Sequence, residues 1–132
     1  MHKEIKNFPS QISQAINETK DLSINLDKIH RVVIAGIGGS AIAGLIMKDL
    51  SPHLEIIVER NYFPNAIIDE DTLLIICSYS GNTEETLSAL DKAIAKNCTI
   101  IAITSGGELL RVSKQKGFDY IILPSGGAPR AM

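Results

Sequence analysis

The chain has 132 residues, 45% of them hydrophobic and 21% charged, with a formal net charge of −2. That is the make-up of one ordinary globular domain, and without a block of basic residues it offers no surface for nucleic acid or an anionic membrane. No run approaches 18 apolar residues, and Cys77 and Cys98 form no CxxC pair, so a membrane span and a disulfide framework are both excluded and a reduced, cytoplasmic protein is expected.

The first ten residues, Met1 to Ser10, are polar, contain Pro9 and hold no apolar signal segment. Ser10–Ile29 then carries Ile12, Ile16, Leu22, Leu26 and Ile29, which predicts a helix covering one face of a sheet. Residues 1–30 thus form a helical lead-in, and 31–132 form the domain proper. Five short β-branched runs follow, at Arg31–Ala35, Glu55–Glu59, Thr72–Cys77, Thr99–Ile103 and Tyr120–Leu123. They are continuously apolar rather than alternating, as strands covered on both faces are. Helical patterns separate them. Ala41–Leu50 stops at Ser51-Pro52. Glu84–Lys96 places Leu87, Leu90 and Ile94 on one stripe, with Asn82 and Glu85 spaced as a capping box. Leu109–Lys116 ends at Gly117. Strand–helix alternation with right-handed crossovers predicts an α/β three-layer sandwich around a five-stranded parallel sheet, in the flavodoxin-like order 2-1-3-4-5.

The informative chemistry stands where each strand ends. The first runs into Gly36-Ile37-Gly38-Gly39-Ser40, the third into Ser78-Tyr79-Ser80-Gly81-Asn82-Thr83, the fourth into Thr104-Ser105-Gly106-Gly107 and the fifth into Pro124-Ser125-Gly126-Gly127. Ligands of open α/β sheets sit outside the carboxyl ends of the strands, at the switch point, here between strands 1 and 3. Glycine lets backbone approach an anion closely, amides at a helix start point toward it, and hydroxyls donate hydrogen bonds without adding charge. A phosphate is the ligand such loops suit. Gly36-Ile37-Gly38-Gly39-Ser40-Ala41 also fits the dinucleotide fingerprint, and Glu59 closes strand 2 where a ribose-binding acid would stand. An NAD(P)-binding half of an oxidoreductase is therefore an alternative, although such a domain has no use for the hydroxyl cluster of Ser78–Thr83.

Gly38-Gly39-Ser40, Ser78-Tyr79-Ser80-Gly81-Asn82-Thr83-Glu84-Glu85-Thr86, Thr104-Ser105-Gly106-Gly107 and Ala128-Pro129-Arg130-Ala131 together resemble the sugar isomerase (SIS) domain. The resemblance is to the N-terminal half of the bifunctional phosphoglucose/phosphomannose isomerases, and it runs from about Ile29 to Met132. It implies a hexose 6-phosphate ligand, interconversion of glucose 6-phosphate or mannose 6-phosphate with fructose 6-phosphate, and no metal or cofactor. By the same resemblance Ser78, Ser80 and Thr83 hold the phosphate, Gly38, Gly39 and Ser40 line the sugar side, and Arg130 stabilises the enediolate-like intermediate. A homodimer in the full-length context is implied too, as is the alternative of a stand-alone sugar-phosphate-sensing module. In the family the base glutamate and the ring-opening histidine come from a second SIS domain, the histidine across a dimer interface. Here His30 and His53 precede strands 1 and 2, His2 lies in the lead-in, and the carboxylates at the ligand end are Glu84, Glu85 and Glu108. The chain ends at Met132, so the expectation is binding without isomerisation.

Overall fold

The computed structural model describes residues 2–19, 22, 24–61 and 68–124. Along the chain run α1 (His2–Glu18), β1 (Arg31–Gly36), α2 (Gly39–Leu50), β2 (Glu55–Glu59), β3 (Thr72–Cys77), α3 (Glu84–Ala95), β4 (Thr99–Thr104), α4 (Gly107–Lys116) and β5 (Asp119–Ile122). The five strands form one sheet, all parallel, in the order β2-β1-β3-β4-β5. This is the expected order. Boundaries agree to within one residue for the strands. Gly36 and Thr104 join β1 and β4 because each finds a partner in the neighbouring strand, Gly36 opposite Cys77 and Thr104 opposite Ile122.

Successive side chains of a strand point to opposite faces, and the two faces are covered differently. On one, Val33, Ala35, Leu74, Ile76, Ile100 and Ala102 meet Ala89, Leu90 and Ala93 of α3 and Leu109 of α4 in a single core. Leu87 and Ile94 pack against its edge, so the stripe read along α3 faces the sheet as expected. On the other face lies α2. Its Gly44 sits so close to β1 and β2 that an added Cβ would stand 3.0 Å from Ile34 Cγ2 and 3.1 Å from Val58 Cγ2. The result is the expected three-layer sandwich. At the amino-terminal edge, Arg31 donates to Glu55 at 3.0 Å and to Asp69 at 3.5 Å, far from the glycine-rich strand ends.

The amino-terminal segment departs from its sequence reading. The helix begins at His2, runs through Pro9 and ends at Glu18; Leu22, Leu26 and Ile29 are not helical. Past Pro9, Ser13 Oγ donates to the Pro9 carbonyl at 3.1 Å. The stop comes at Thr19, whose amide and hydroxyl both donate to Ala15 O, at 3.1 and 3.0 Å. A side chain that satisfies a last-turn carbonyl in this way competes with continuation of the helix. Phe8, Ile12 and Ile16 of α1 remain 58%, 47% and 57% exposed, so the helix does not bury its apolar stripe as a covering helix would. It lies beside the end of β5, where Phe8 and Ile12 line an apolar groove together with Leu123 and Pro124.

Candidate functional site

The glycine and hydroxyl loops meet where the topology reverses. A cavity of about 240 Å³ opens between the start of α2 and the ends of β3, β4 and β5, lined by Gly39, Ser40 and Ala43, by Cys77, Ser78 and Tyr79, and by Ile103 and Leu123. Gly38, with φ 58, forms the turn from which α2 starts, a conformation that glycine adopts without strain. Ala41 N closes that turn on Gly38 O at 3.2 Å.

The second loop is held from several sides. Ser78 is buried, its amide donates to Ile103 O at 3.0 Å, and its Oγ lies 2.8 Å from Thr83 Oγ1. Gly81 N donates to both Ser78 O and Ser78 Oγ, at 3.1 and 3.2 Å. One hydroxyl of the Ser78–Thr83 pair must donate to the other, which leaves one proton of the pair for an outside acceptor. Ser80 is exposed; its Oγ accepts from Asn82 N at 3.2 Å, so its own proton also points elsewhere. Tyr79 ties the loop outward, with Ser105 N and Ser105 Oγ donating to Tyr79 O at 3.0 and 2.6 Å, and Tyr79 OH donating to Pro124 O at 3.1 Å.

Asn82 does something the spacing did not suggest. The first residue of α3 is Glu84, its N-cap is Thr83, and that cap uses no side-chain hydrogen bond. Instead Asn82 Oδ1 accepts from Glu108 N at 2.9 Å, while Gly81 O accepts from Leu109 N at the same distance. The loop after β3 therefore caps the start of α4, across 26 residues of sequence. A capping partner reached through the tertiary fold leaves no local spacing to read.

Of the residues expected from sequence, Gly39, Ser40 and Ser78 line the cavity, and Thr83 is paired with Ser78. Ser80 stands on the exposed crest of the same loop, and Gly38 shapes the turn below. Arg130 and the whole Ala128–Ala131 motif lie outside the described residues. The sequence reading missed the apolar half of the wall, Ala43, Ile103 and Leu123. The one available signal was register, since Cys77 stands opposite Ile103 in the parallel ladder and both point to the same face.

Charges around the site are mostly committed. Glu59 is 6% exposed, and its Oε1 accepts from Arg60 N, Asn61 N and Asn61 Nδ2 at 3.1 to 3.2 Å, closing the turn after β2. It is thus a turn-forming acid rather than a bare charge at a strand end. Glu108 pairs with Arg111, whose hydrogen bonds hold its carboxyl below the usual range. His30 gives its amide to Asp71 O and His53 is exposed before β2, both at the opposite edge. Among the described residues no group of His, Cys, Asp and Glu could hold a metal ion.

Burial pushes the Cys77 thiol up to about 11, and burial with the nearby Asp69 charge does the same for Cys98. Only the thiolate is nucleophilic, so at pH 7.5 both should react with iodoacetamide about two orders of magnitude more slowly than a free thiol. Timed alkylation read by mass spectrometry checks this. Rapid labelling of Cys77 would mean that the cavity wall is wetter than its packing indicates.

The SIS domain family model matches residues 25–111. The chain belongs to the SIS domain family. This SIS domain is 46% identical to a bifunctional phosphoglucose/phosphomannose isomerase of Caldicellulosiruptor bescii, over 99% of the chain and 40% of that protein. It is 43% identical to the protein of the same description from Thermoplasma volcanium, over 84% of the chain and 35% of that protein. It therefore spans well under half the length of these relatives. Among solved structures it resembles the tagatose-6-phosphate ketose/aldose isomerase from Escherichia coli in fold, with TM-score 0.64 at 22% identity, covering 93% of this chain and 37% of that one. The C-terminal domain of glucosamine-fructose-6-phosphate aminotransferase from Francisella tularensis matches with TM-score 0.62 at 25% identity, over 84% of this chain and 36% of that one. None of these names a dinucleotide-dependent oxidoreductase. No helix among the described residues is long and apolar enough to cross a membrane.

Proposed function

We propose that this SIS domain is the hexose 6-phosphate-binding part of an aldose–ketose isomerase, one that interconverts glucose 6-phosphate or mannose 6-phosphate with fructose 6-phosphate in the cytoplasm. The observation that carries the reading is the Ser78–Thr83 hydroxyl pair, 2.8 Å apart, with Ser78 lining the cavity at the switch point. One free proton from that pair and one from Ser80 supply neutral donors to a phosphate, while Gly39 and Ser40 present the opposite wall to the sugar. Arg130, from the segment beyond the described residues, is the cation assigned to the enediolate-like charge near O1 and O2. Residues 1–30 serve as the lead-in to a domain of residues 31–132. Neither metal nor cofactor takes part, and the full-length context is a homodimer. Sequence relatives described as phosphoglucose/phosphomannose isomerases support the substrate class.

Ser80→Ala tests the phosphate assignment. Ser80 is exposed and its hydroxyl only accepts from Asn82 N within the fold, so its loss should leave the melting temperature nearly unchanged. Removal of one charge-assisted hydrogen bond should weaken fructose 6-phosphate binding by about 1.5–3 kcal/mol, roughly 10- to 150-fold. Isothermal calorimetry reads both the affinity and its loss. Unchanged affinity would move the phosphate to another loop. Stabilisation by NAD or NADP in place of fructose 6-phosphate would overturn the ligand class.

A further inference from the structure

The crest of the β3 loop is held from beneath by α4, whereas the cavity is lined by α2 and the ends of β3, β4 and β5. Leu109, in the first turn of α4, is fully buried in the core, so the backbone around it is a fixed point. Two amides of that turn hold the loop. Glu108 N donates to Asn82 Oδ1 and Leu109 N to Gly81 O, both at 2.9 Å. Gly107, with φ 72, packs directly against Ser80: a Cβ there would collide with Ser80 O and stand 2.9 Å from Asn82 Oδ1.

Asn82 joins the fixed helix to the exposed crest. Its amide donates to Ser80 Oγ at 3.2 Å, which occupies a lone pair of that hydroxyl and leaves its proton for an outside acceptor. Its side-chain oxygen meanwhile accepts from α4, across 26 residues of sequence. Ser80 is exposed, and its side chain meets the fold through the Asn82 amide, so the direction of the hydroxyl follows the placement of residue 82. A helix-cap acceptor biases a chain toward the capped arrangement by about 5-fold.

We propose that Asn82 is a positioning residue for phosphate capture: by capping α4 it fixes the crest of the β3 loop and aims the Ser80 hydroxyl at the ligand. The role rests on the assignment of that loop to the phosphate. Coupling between two sites is reciprocal, so a ligand held by Ser80 must in turn tighten the start of α4 without touching it. The amides of Glu108 and Leu109 report that tightening.

Asn82→Ala should weaken fructose 6-phosphate binding by about 3- to 10-fold in calorimetry. Loss of one exposed cap lowers the melting temperature by only a few degrees, so the variant stays folded for the measurement. A double-mutant cycle separates aiming from stability. In a Ser80→Ala background the same substitution should cost less than about 2-fold, because the hydroxyl it aims is gone. Amide exchange followed by NMR gives a second readout: fructose 6-phosphate should slow exchange at Glu108 and Leu109 in the wild-type chain, and the slowing at Glu108 should vanish in Asn82→Ala. Asn82→Asp keeps the acceptor, and a carboxylate suits a helix start. At about 0.5 M salt, where its charge is screened, it should bind within about 2-fold of wild type. A wild-type chain that binds no fructose 6-phosphate would refute the phosphate assignment and this role with it. Where the wild type binds, unchanged affinity in Asn82→Ala, or equal losses with and without Ser80, would overturn the positioning role alone. So would an Asp variant that protects Glu108 again yet still binds poorly, since Asn82 would then meet the ligand itself.

Discussion

Gly81→Ala should lower the melting temperature by at least about 10 °C, a larger loss than any other single substitution in the phosphate loop. Gly81 has φ 67, where an L side chain is strained by about 1–2 kcal/mol. Its direction is also closed. A Cβ there would stand within bonding distance of Gly106 O and 2.9 Å from Thr104 Oγ1. Gly106 cannot retreat freely, because Thr104 Oγ1 donates to its carbonyl at 2.8 Å and accepts from its amide at 3.2 Å. Overpacking of this kind adds about 1–3 kcal/mol. The loop after β3 would be forced off the start of α4, with loss of the bonds from Glu108 N and Leu109 N. Whatever folded protein remained should therefore bind fructose 6-phosphate poorly. Gly106→Ala is the control. Its backbone is extended, with φ 162, and an added Cβ meets nothing within 4 Å. Its effect should stay within about 1 kcal/mol. Differential scanning calorimetry compares the two, and equal losses would refute the steric account.

The 132-residue chain should bind hexose 6-phosphates yet show no measurable aldose–ketose isomerisation. Phosphate capture needs hydroxyls and amides that one domain provides. Moving a proton between C1 and C2 needs a base within hydrogen-bond reach of those carbons, and ring opening needs an acid–base group. His30 and His53 both stand at the amino-terminal edge of the sheet, before β1 and β2. Glu59 is buried and engaged with the turn after β2, Glu108 is engaged by Arg111, and Glu84 and Glu85 open α3, where an acid complements the helix dipole. Absence of a positioned base alone removes about 10²–10⁴-fold in rate. A coupled assay following fructose 6-phosphate formation from glucose 6-phosphate and mannose 6-phosphate reads the outcome. Turnover of about 1 s⁻¹ or more, the low end for ordinary enzymes, would show that a base is present after all. Glu84→Gln and Glu108→Gln would then identify it.

Both expectations depend on how the β3 loop is locked, which was only partly legible in the residues. Ser78, Gly81 and Thr83 announce a tight, hydroxyl-rich turn before a helix, and that is what forms. The partner of Asn82 was not legible, because it is an amide 26 positions away on α4 rather than one within the local turn. Glu59 closes strand 2 where a ribose-binding acid would stand, and only the turn after β2 shows that three donors converge on one of its oxygens. The extent of α1 differs from the expected Ser10–Ile29 for a local reason: the helix runs through Pro9 and stops where Thr19 bonds back to Ala15.

By itself the sequence determined the class of structure and the edge at which ligands gather. Continuous β-branched runs and three helical stripes are properties of neighbouring residues, and a parallel sheet carries all its strand ends to one side. The tertiary structure decided what those ends become. Long-range contacts chose which hydroxyls touch, which glycine has no room for a methyl group, which apolar side chains complete the cavity wall and which face of α2 is left without cover. Each of these depends on the distance between atoms far apart in the chain. Local pattern carries no information about that distance until the sheet has brought them together.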